Sequence, residues 1–187
     1  MNITQSWETI EKILWEVSPE VARSLNEGAS EDAIRTLEGK TGADFPVDFL
    51  ESLRIHNGQN DPGRIFPLFN YNVLSSIDEI IDDYEMLMDL FAEDEPIDWL
   101  IPDRIQNRTW TPGWIKFSEN EGDGFILDLD PAGNGNRGQI FYRKHDDNPI
   151  STISDSYGEF LSKIAAMLNQ GEFEVEDKLI VFKNIIS

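Results

Sequence analysis

Gly124-Phe125-Ile126-Leu127-Asp128-Leu129-Asp130, followed after a glycine- and asparagine-rich break by Gln139-Ile140-Phe141-Tyr142-Arg143-Lys144, marks the place where this chain changes its period. Both runs are short and rich in branched and aromatic side chains. The six residues Gly133-Asn134-Gly135-Asn136-Arg137-Gly138 between them are turn chemistry, which favours antiparallel pairing. Upstream, Thr109 to Ser118, with Trp110, Trp114, Ile115 and Phe117, reads as another strand-forming run. The middle of the chain is therefore predicted to be sheet.

Outward from this centre the pattern turns helical on both sides. At the N-terminal end, Trp7, Ile10, Leu14 and Val17 recur at helical spacing, and Ser18-Pro19 supplies a cap and first-turn proline for a second segment ending near Gly28. Ser30 caps a third helix carrying Ile34 and Leu37, ended by Gly39 or Gly42. Pro46 opens a fourth with Phe49, Leu50 and Leu53 inward, stopping at Asn57-Gly58 with His56 in its last turn. Residues 59–71 read as a turn followed by a short buried strand or loop. Ser76 and Glu79 then have capping-box spacing for a longer helix whose apolar face is Ile77, Ile80, Ile81, Tyr84, Leu87, Met88 and Phe91. A last helix begins at Ser156, where Glu159 stands at the box position, and runs to Asn169-Gln170-Gly171. The tail from Phe173 to Ile186 adds a strand or covers an edge. Helices first, strands in the middle and a closing helix predict an α+β domain, an antiparallel sheet with helices packed mainly on one side. With no repeat and no dividing linker, residues 1–187 are expected to form one domain.

Composition narrows the function classes. The chain has 36 acidic against 15 basic side chains, a formal net charge of -21. Such a surface repels nucleic-acid backbones and anionic membranes and attracts a basic protein. Forty per cent hydrophobic residues suffice for a core. The absence of cysteine removes disulfide and thiolate chemistry. The opening residues lack a secretory signal pattern, and no apolar run approaches bilayer length, so a cytoplasmic location is expected.

Few constellations carry chemistry. The glycine-rich break matches G-x-G-x-x-G literally, but it leads into a strand rather than a helix, and the downstream lysine, base and metal-binding segments of a kinase are missing. Asp128 and Asp130 stand on one side of a strand and, with Asp123 and Asn134 or Asn136, could gather round a hard cation. Against an EF-hand, however, Ala132 and Gln139 fall where ligands belong. The plainer reading has Asp128 accepting hydrogen bonds from the turn. His56 and His145 are the only histidines, neither near a nucleophile elbow or a zinc-ligand pattern. No catalytic, cofactor-binding or metal-binding residue is predicted.

The acidic face of the fifth helix and the loop beyond it is the candidate site. From Asp78 to Asp98 there is no lysine or arginine. A solvated face is the default for such a stretch. The functional reading makes Asp82, Asp83, Asp89, Glu93, Asp94, Glu95 and Asp98 a landing surface for a cationic partner, with Trp99 as an exposed aromatic anchor.

Two ordered signatures carry a resemblance. The first is Gly28-Ala29-Ser30-Glu31-Asp32-Ala33-Ile34, then Leu37-Glu38, Thr41-Gly42, Phe45-Pro46-Val47-Asp48 and His56-Asn57-Gly58. The second is Trp114, Asp123 to Pro131, Gly138-Gln139-Ile140-Phe141 and Ser156-Tyr157-Gly158-Glu159-Phe160-Leu161. Their order resembles the SUKH superfamily, the Smi/Knr-type domain, over residues 7–170. The chain departs from that pattern at Phe45 and at Tyr157-Gly158. The resemblance implies the same α+β architecture, with Pro46, Gly58, Trp114 and Phe160 as framework, and no catalytic residue to carry over. It implies a binding domain, in bacteria often an immunity protein against a toxin, in fungi a regulator of cell-wall synthesis. With the charge, it predicts a non-enzymatic immunity protein neutralising a basic toxin such as a nuclease. A regulatory scaffold in cell-wall or envelope assembly is the alternative, and a small hydrolase using Asp123, Asp128 or Asp130 the second.

Overall fold

A computed structural model describes residues 1–91, 103–146, 152–176, 179–183 and 185. Helix α1 (Ile3–Val17) starts on a reciprocal cap in which the Gln5 amide donates to Asn2 Oδ1 at 2.8 Å and the Asn2 amide to Gln5 Oε1 at 3.2 Å. It buries Ile3, Trp7, Ile10 and Leu14. Helix α2 (Pro19–Ser24) is short, α3 (Glu31–Thr41) is capped by Ser30 Oγ and ends on left-handed Gly42, and α4 is Val47–Ile55. The third helix thus passes Gly39 and stops at the second of its two candidate glycines.

The second and fourth helices end earlier than their spacing predicts, for a shared reason. Segments 24–29, 53–60 and 74–76 are joined main chain to main chain, which takes their amides out of any helix. Asn26 N donates to Gly58 O at 3.0 Å, Asn57 N to Glu27 O at 3.1 Å, Ala29 N to Leu53 O at 2.8 Å, Asn60 N to Ser24 O at 2.6 Å and Gln59 N to Leu74 O at 2.9 Å. Glycine is required where the backbones meet. A Cβ on Gly28 would lie 1.9 Å from Arg54 O, and one on Gly58, whose φ is +73°, 2.3 Å from Ser76 N.

The sheet is built from β2 (Trp114–Lys116), β4 (Gly124–Asp128), β5 (Gln139–Arg143) and β6 (Thr152–Ser154), antiparallel throughout in the order β2-β4-β5-β6; β1 (Val73–Leu74) and β3 (Ser118–Glu119) form a separate antiparallel pair. The run from Thr109 is strand only from Trp114, because Trp114 N closes a turn onto Thr111 O at 3.0 Å around Pro112. Register sorts the side chains. Trp114 pairs with Asp128 and Asp128 with Gln139, while Lys116 pairs with Ile126 and Ile126 with Phe141, so these six share one face. Ile115, Phe117, Phe125, Leu127, Ile140 and Tyr142 make the other.

That second set faces the main core, where α1, α4 and α6 (Tyr157–Gln170) pack. Phe117 meets Phe49 at 6.1 Å, Phe125 at 6.2 Å, Tyr157 at 5.4 Å and Phe160 at 5.8 Å between ring centroids. Inside this cluster the Trp7 indole donates to Ser52 Oγ at 2.9 Å, and Ser52 Oγ and Tyr157 OH share a bond of 2.9 Å, which satisfies the polar atoms three helices bring in. Glu159 caps α6 differently from its sequence position. Ser156 Oγ accepts from Glu159 N at 3.1 Å, but the Glu159 carboxylate reaches Asp155 N at 2.8 Å instead of closing the box on Ser156.

Helices do lie mainly on one side, yet the opposite face is not open. Trp110, Trp114, Ile126 and Phe141 pack there with Leu87, and Met88, Phe91 and Ile105 close round them. Helix α5 (Ile77–Leu90) reaches both faces: Ile77, Ile80 and Ile81 belong to the main core and Leu87 to the second cluster. Its closest strand is β2, at the end of the sheet order. Among the described residues the tail pairs with no strand of the sheet, though Ile180, Phe182 and Ile185 are buried in the main core. Phe173–Glu176 (β7) and Leu179–Phe182 (β8) form their own antiparallel ladder, tied to the body where Phe182 N donates to Asn70 Oδ1 at 2.7 Å.

Candidate functional site

The candidate face rests on how firmly α5 is placed. Ser76 Oγ accepts from Glu79 N at 3.4 Å, and the Glu79 carboxylate accepts from Ser76 N at 2.7 Å, so both partners of the predicted box are engaged. The Ile77 amide donates to Asn57 Oδ1 at 2.8 Å, which pins the start of α5 to the end of α4.

A second anchor is electrostatic. Lys116, 6% exposed, projects from β2 to Asp83 Oδ2 at 3.1 Å and also pairs with Glu119, which receives Arg64 at 2.6 Å. Burial raises the Asp83 carboxyl, with Lys116 pulling the other way. Burial also works to raise Glu119, but Lys116, the Gly122 N–H and Arg64 outweigh it and hold that carboxyl below its usual range.

The predicted contact residues divide accordingly. Asp82 and Asp89 stand exposed on the outer side of α5, with Asp78, Glu79 and Glu85. Asp83 turns inward to Lys116. Glu93, Asp94, Glu95, Asp98 and Trp99 lie outside the described residues. Glu85 is met by Lys40 at 2.8 Å; among the described residues, Asp78, Asp82 and Asp89 form no ion pair.

Two members of this surface escaped the charge-based reading. Met86 and Leu90 are 54% and 67% exposed. Their signal was present in the spacing, because both fall out of phase with the inward set Ile77, Ile80, Ile81, Tyr84, Leu87, Met88 and Phe91. Among the described tryptophans, Trp7, Trp110 and Trp114 are buried; Trp15 is 51% exposed, with the Arg23 guanidinium carbon 5.5 Å from its ring centroid.

The other carboxylates do not assemble. Asp128 and Asp130 were expected on one side of a strand, but β4 ends at Asp128 and the chain turns as Asp130 N donates back to Asp128 Oδ1 at 3.1 Å. Asp128 is wholly buried and accepts from Gln139 Nε2 at 2.8 Å; Gly138 N donates to its backbone carbonyl at 2.6 Å. Burial lifts this carboxyl to about 6, opposed by the Gln139 and Asp130 hydrogen bonds. The Trp114 indole N–H also favours the ionised form, from outside ordinary hydrogen-bond geometry. Asp130 points outward to Gln106 Nε2 at 2.7 Å. Asp123, one residue before the opposite end of β4, accepts from His145 Nδ1 at 2.9 Å, so strand geometry separates it from Asp128 by about 16 Å. That hydrogen bond raises the His145 imidazole. Among the described residues no three acidic or histidine side chains are placed to hold a metal ion.

The glycine-rich break is the β4–β5 turn, and four of its six amides are spent within the protein. Asn134 N donates to Asp103 O, Gly135 N to Ala132 O, Asn136 N to Gln139 Oε1 and Gly138 N to Asp128 O. A phosphate cradle needs such groups converging on open space. His56 is a packing residue, edge-on to Trp7 at 4.7 Å, with Nδ1 2.7 Å from Asn26 O and Nε2 3.2 Å from Glu11.

Comparison with known proteins adds the family. The model of the SMI1 / KNR4 family (SUKH-1) matches residues 28–163. The chain is similar to the glucan synthesis regulatory protein of Neurospora crassa, 24% identical over 212 aligned residues that cover 94% of this chain and 40% of that protein. It is similar to the cell wall biosynthesis/cell cycle regulator smi1 of Schizosaccharomyces pombe, 26% identical over 190 residues covering 94% of this chain and 38% of the relative. A shorter likeness links it to human F-box only protein 3, 39% identical over 57 residues, 30% of this chain and 12% of that one. The chain thus spans about 40% of the length of the fungal relatives it matches.

Proposed function

The chain belongs to the SMI1/KNR4 (SUKH-1) family, and from that membership we propose that it is a protein-binding module, without chemistry of its own, that serves as a regulatory scaffold in cell-wall or envelope assembly from the cytoplasmic side. The observation that carries this reading is that two fungal regulators of wall or glucan synthesis align with 94% of the chain. The geometry agrees with a binding role. The buried carboxylate is locked into a turn, the histidines are tied to backbone and carboxylate partners, and exposed acidic and apolar side chains share the outside of α5. No helix among the described residues is long and apolar enough to cross a membrane.

A second reading, an immunity protein that neutralises a basic toxin such as a nuclease, is favoured by the net charge of -21, which suits fast, salt-sensitive association with a cationic surface. The hydrolase reading has less to support it, because Asp123 and Asp128 sit near opposite ends of β4 and Asp130 faces away. Cross-linked affinity capture of the full chain from its native cells separates the first two. Cell-wall machinery as the captured partner is the expected result. A basic toxin whose killing the chain abolishes would replace the scaffold by the immunity reading, and substrate turnover lost in an Asp128→Asn variant would overturn both.

A further inference from the structure

We infer that the outward side of α5 is a docking strip for a basic amphipathic helix of a partner protein, an inference that rests on the binding role proposed above and gives its partner a chemistry. Asp78, Asp82, Met86 and Leu90 follow one another at four-residue intervals, so they form a single line along the helix; Glu85 and Asp89 run beside it. Met86 and Leu90 are the two large apolar side chains exposed on this helix, at 54% and 67%. A strip with two apolar contacts at one end and carboxylates along its length calls for a partner that is apolar on a stripe and cationic beside it.

The shape selects among cationic partners. A helix surface is convex and its backbone groups are already bonded, so it offers no edge for an added strand. A second helix fits by setting its ridges between those of the first. From Asp78 to Leu90 the strip is about 18 Å long, which corresponds to a partner helix of about a dozen residues. A second copy of this chain is disfavoured, because its own α5 would bring the same carboxylates into contact. The small cavity at the flank, about 210 Å³ and lined by Arg64, Ser75, Glu79, Asp82, Asp83 and Glu119, is not a competing cation site. Lys116 and Arg64 already neutralise its inner carboxylates.

The test uses the full chain and two labelled peptides of about a dozen residues, both of leucine and lysine in the same proportions, one ordered to be amphipathic as a helix and one scrambled. Fluorescence anisotropy at low and high salt should show the amphipathic peptide binding roughly ten-fold more tightly, since only it can meet Met86 and Leu90 with leucine. The double variant Met86→Ser/Leu90→Ser should erase that preference and leave the salt dependence intact. Asp82→Asn/Asp89→Asn should weaken both peptides and flatten the salt dependence. Equal affinity for the two peptides, or wild-type binding by both variants, overturns the strip. A natural partner that still binds both variants also overturns it while leaving the binding role standing. Failure to capture any protein partner removes the binding role itself, and the strip with it.

Discussion

The two faces of the β2-β4-β5-β6 sheet are equally buried and differently made. Toward α1, α4 and α6 the sheet presents Ile115, Phe117, Phe125, Leu127, Ile140 and Tyr142, whose only polar atom, the Tyr142 hydroxyl, receives Asn72 Nδ2 at 3.4 Å. Toward α5 and the Trp110 cluster it presents Trp114, Ile126 and Phe141 mixed with Lys116, Asp128, Gln139 and Arg143. Packing density holds the first face, so any residue of the right size and polarity contributes. The second face depends on particular partners. Lys116 needs Asp83 and Glu119, Asp128 needs Gln139, and Arg143 lies over the rings of Phe91 and Trp110 at 5.6 and 5.4 Å. The lesson is that α5, which bears the candidate site, is held at its start by the main core and further along by the face whose stability is conditional.

The largest effect should come from the unconditional face. Phe125→Ala removes a ring that meets Phe69, Phe117, Tyr142 and Phe160 and should lower the urea unfolding free energy by about 3–5 kcal/mol. A loss under ~1 kcal/mol would mean the cavity collapses and the contrast between faces is weaker than stated.

On the conditional face, Lys116→Met leaves the part-buried Asp83 and Glu119 without their shared cation and should cost up to about 3 kcal/mol. Adding Asp83→Leu should recover at least half of that, as removing both members of a buried pair does. If the double variant is no better than the single, the pair is not what ties α5 to β2.

Asp128 supplies a pH handle on the same face. Burial raises its carboxyl from 3.8 to about 6, so the folded chain holds this proton more tightly than the unfolded one. The stabilisation from this group is full below pH ~4 and is lost as pH rises through about 6. Relative to Asp128→Asn, the wild-type unfolding free energy should therefore fall by on the order of 2–3 kcal/mol between about pH 4 and pH 7. Parallel pH profiles for the two proteins would assign the buried turn a different charge state.

The smallest effect belongs outside. Asp82→Lys/Asp89→Lys should alter stability by only a few tenths of a kcal/mol, if anything upward, because it relieves like-charge neighbours along α5. The same variant should weaken capture of a basic partner and its dependence on salt. A large loss of stability would place these carboxylates in the folded framework.

Sequence made the unconditional face legible and most of the conditional one illegible. The runs that hold Phe125, Leu127 and Ile140 read as strand because they are rich in branched and aromatic side chains, and Ser30, Ser76 and Gly171 marked helix ends by local chemistry. Lys116, Gln139 and Arg143 carry no such mark. Their burial comes from partners on other elements, and a lone basic or amide residue in a strand normally signals exposure. The same limit explains α2 and α4, whose ends are set by bonds to remote backbone. At the candidate site the run of acids announced the face, but not that Asp83 turns in. The phase of Met86 and Leu90 was readable and outweighed by the charges around them. Trp15 is a like case: it falls out of phase with the buried Trp7, Ile10 and Leu14 of α1, so its exposure was readable from the spacing.

The crossing of segments 24–29, 53–60 and 74–76 has a consequence for how the protein should behave in deuterated solvent. The amides of Asn26, Ala29, Asn57, Gln59 and Asn60 are each held by a carbonyl of another segment, although all five lie outside the named helices and strands. Their exchange should be slowed as it is for amides in a ladder, and the slowing should vanish together at all five when the junction opens, because no one of these bonds survives the separation of the segments that make it.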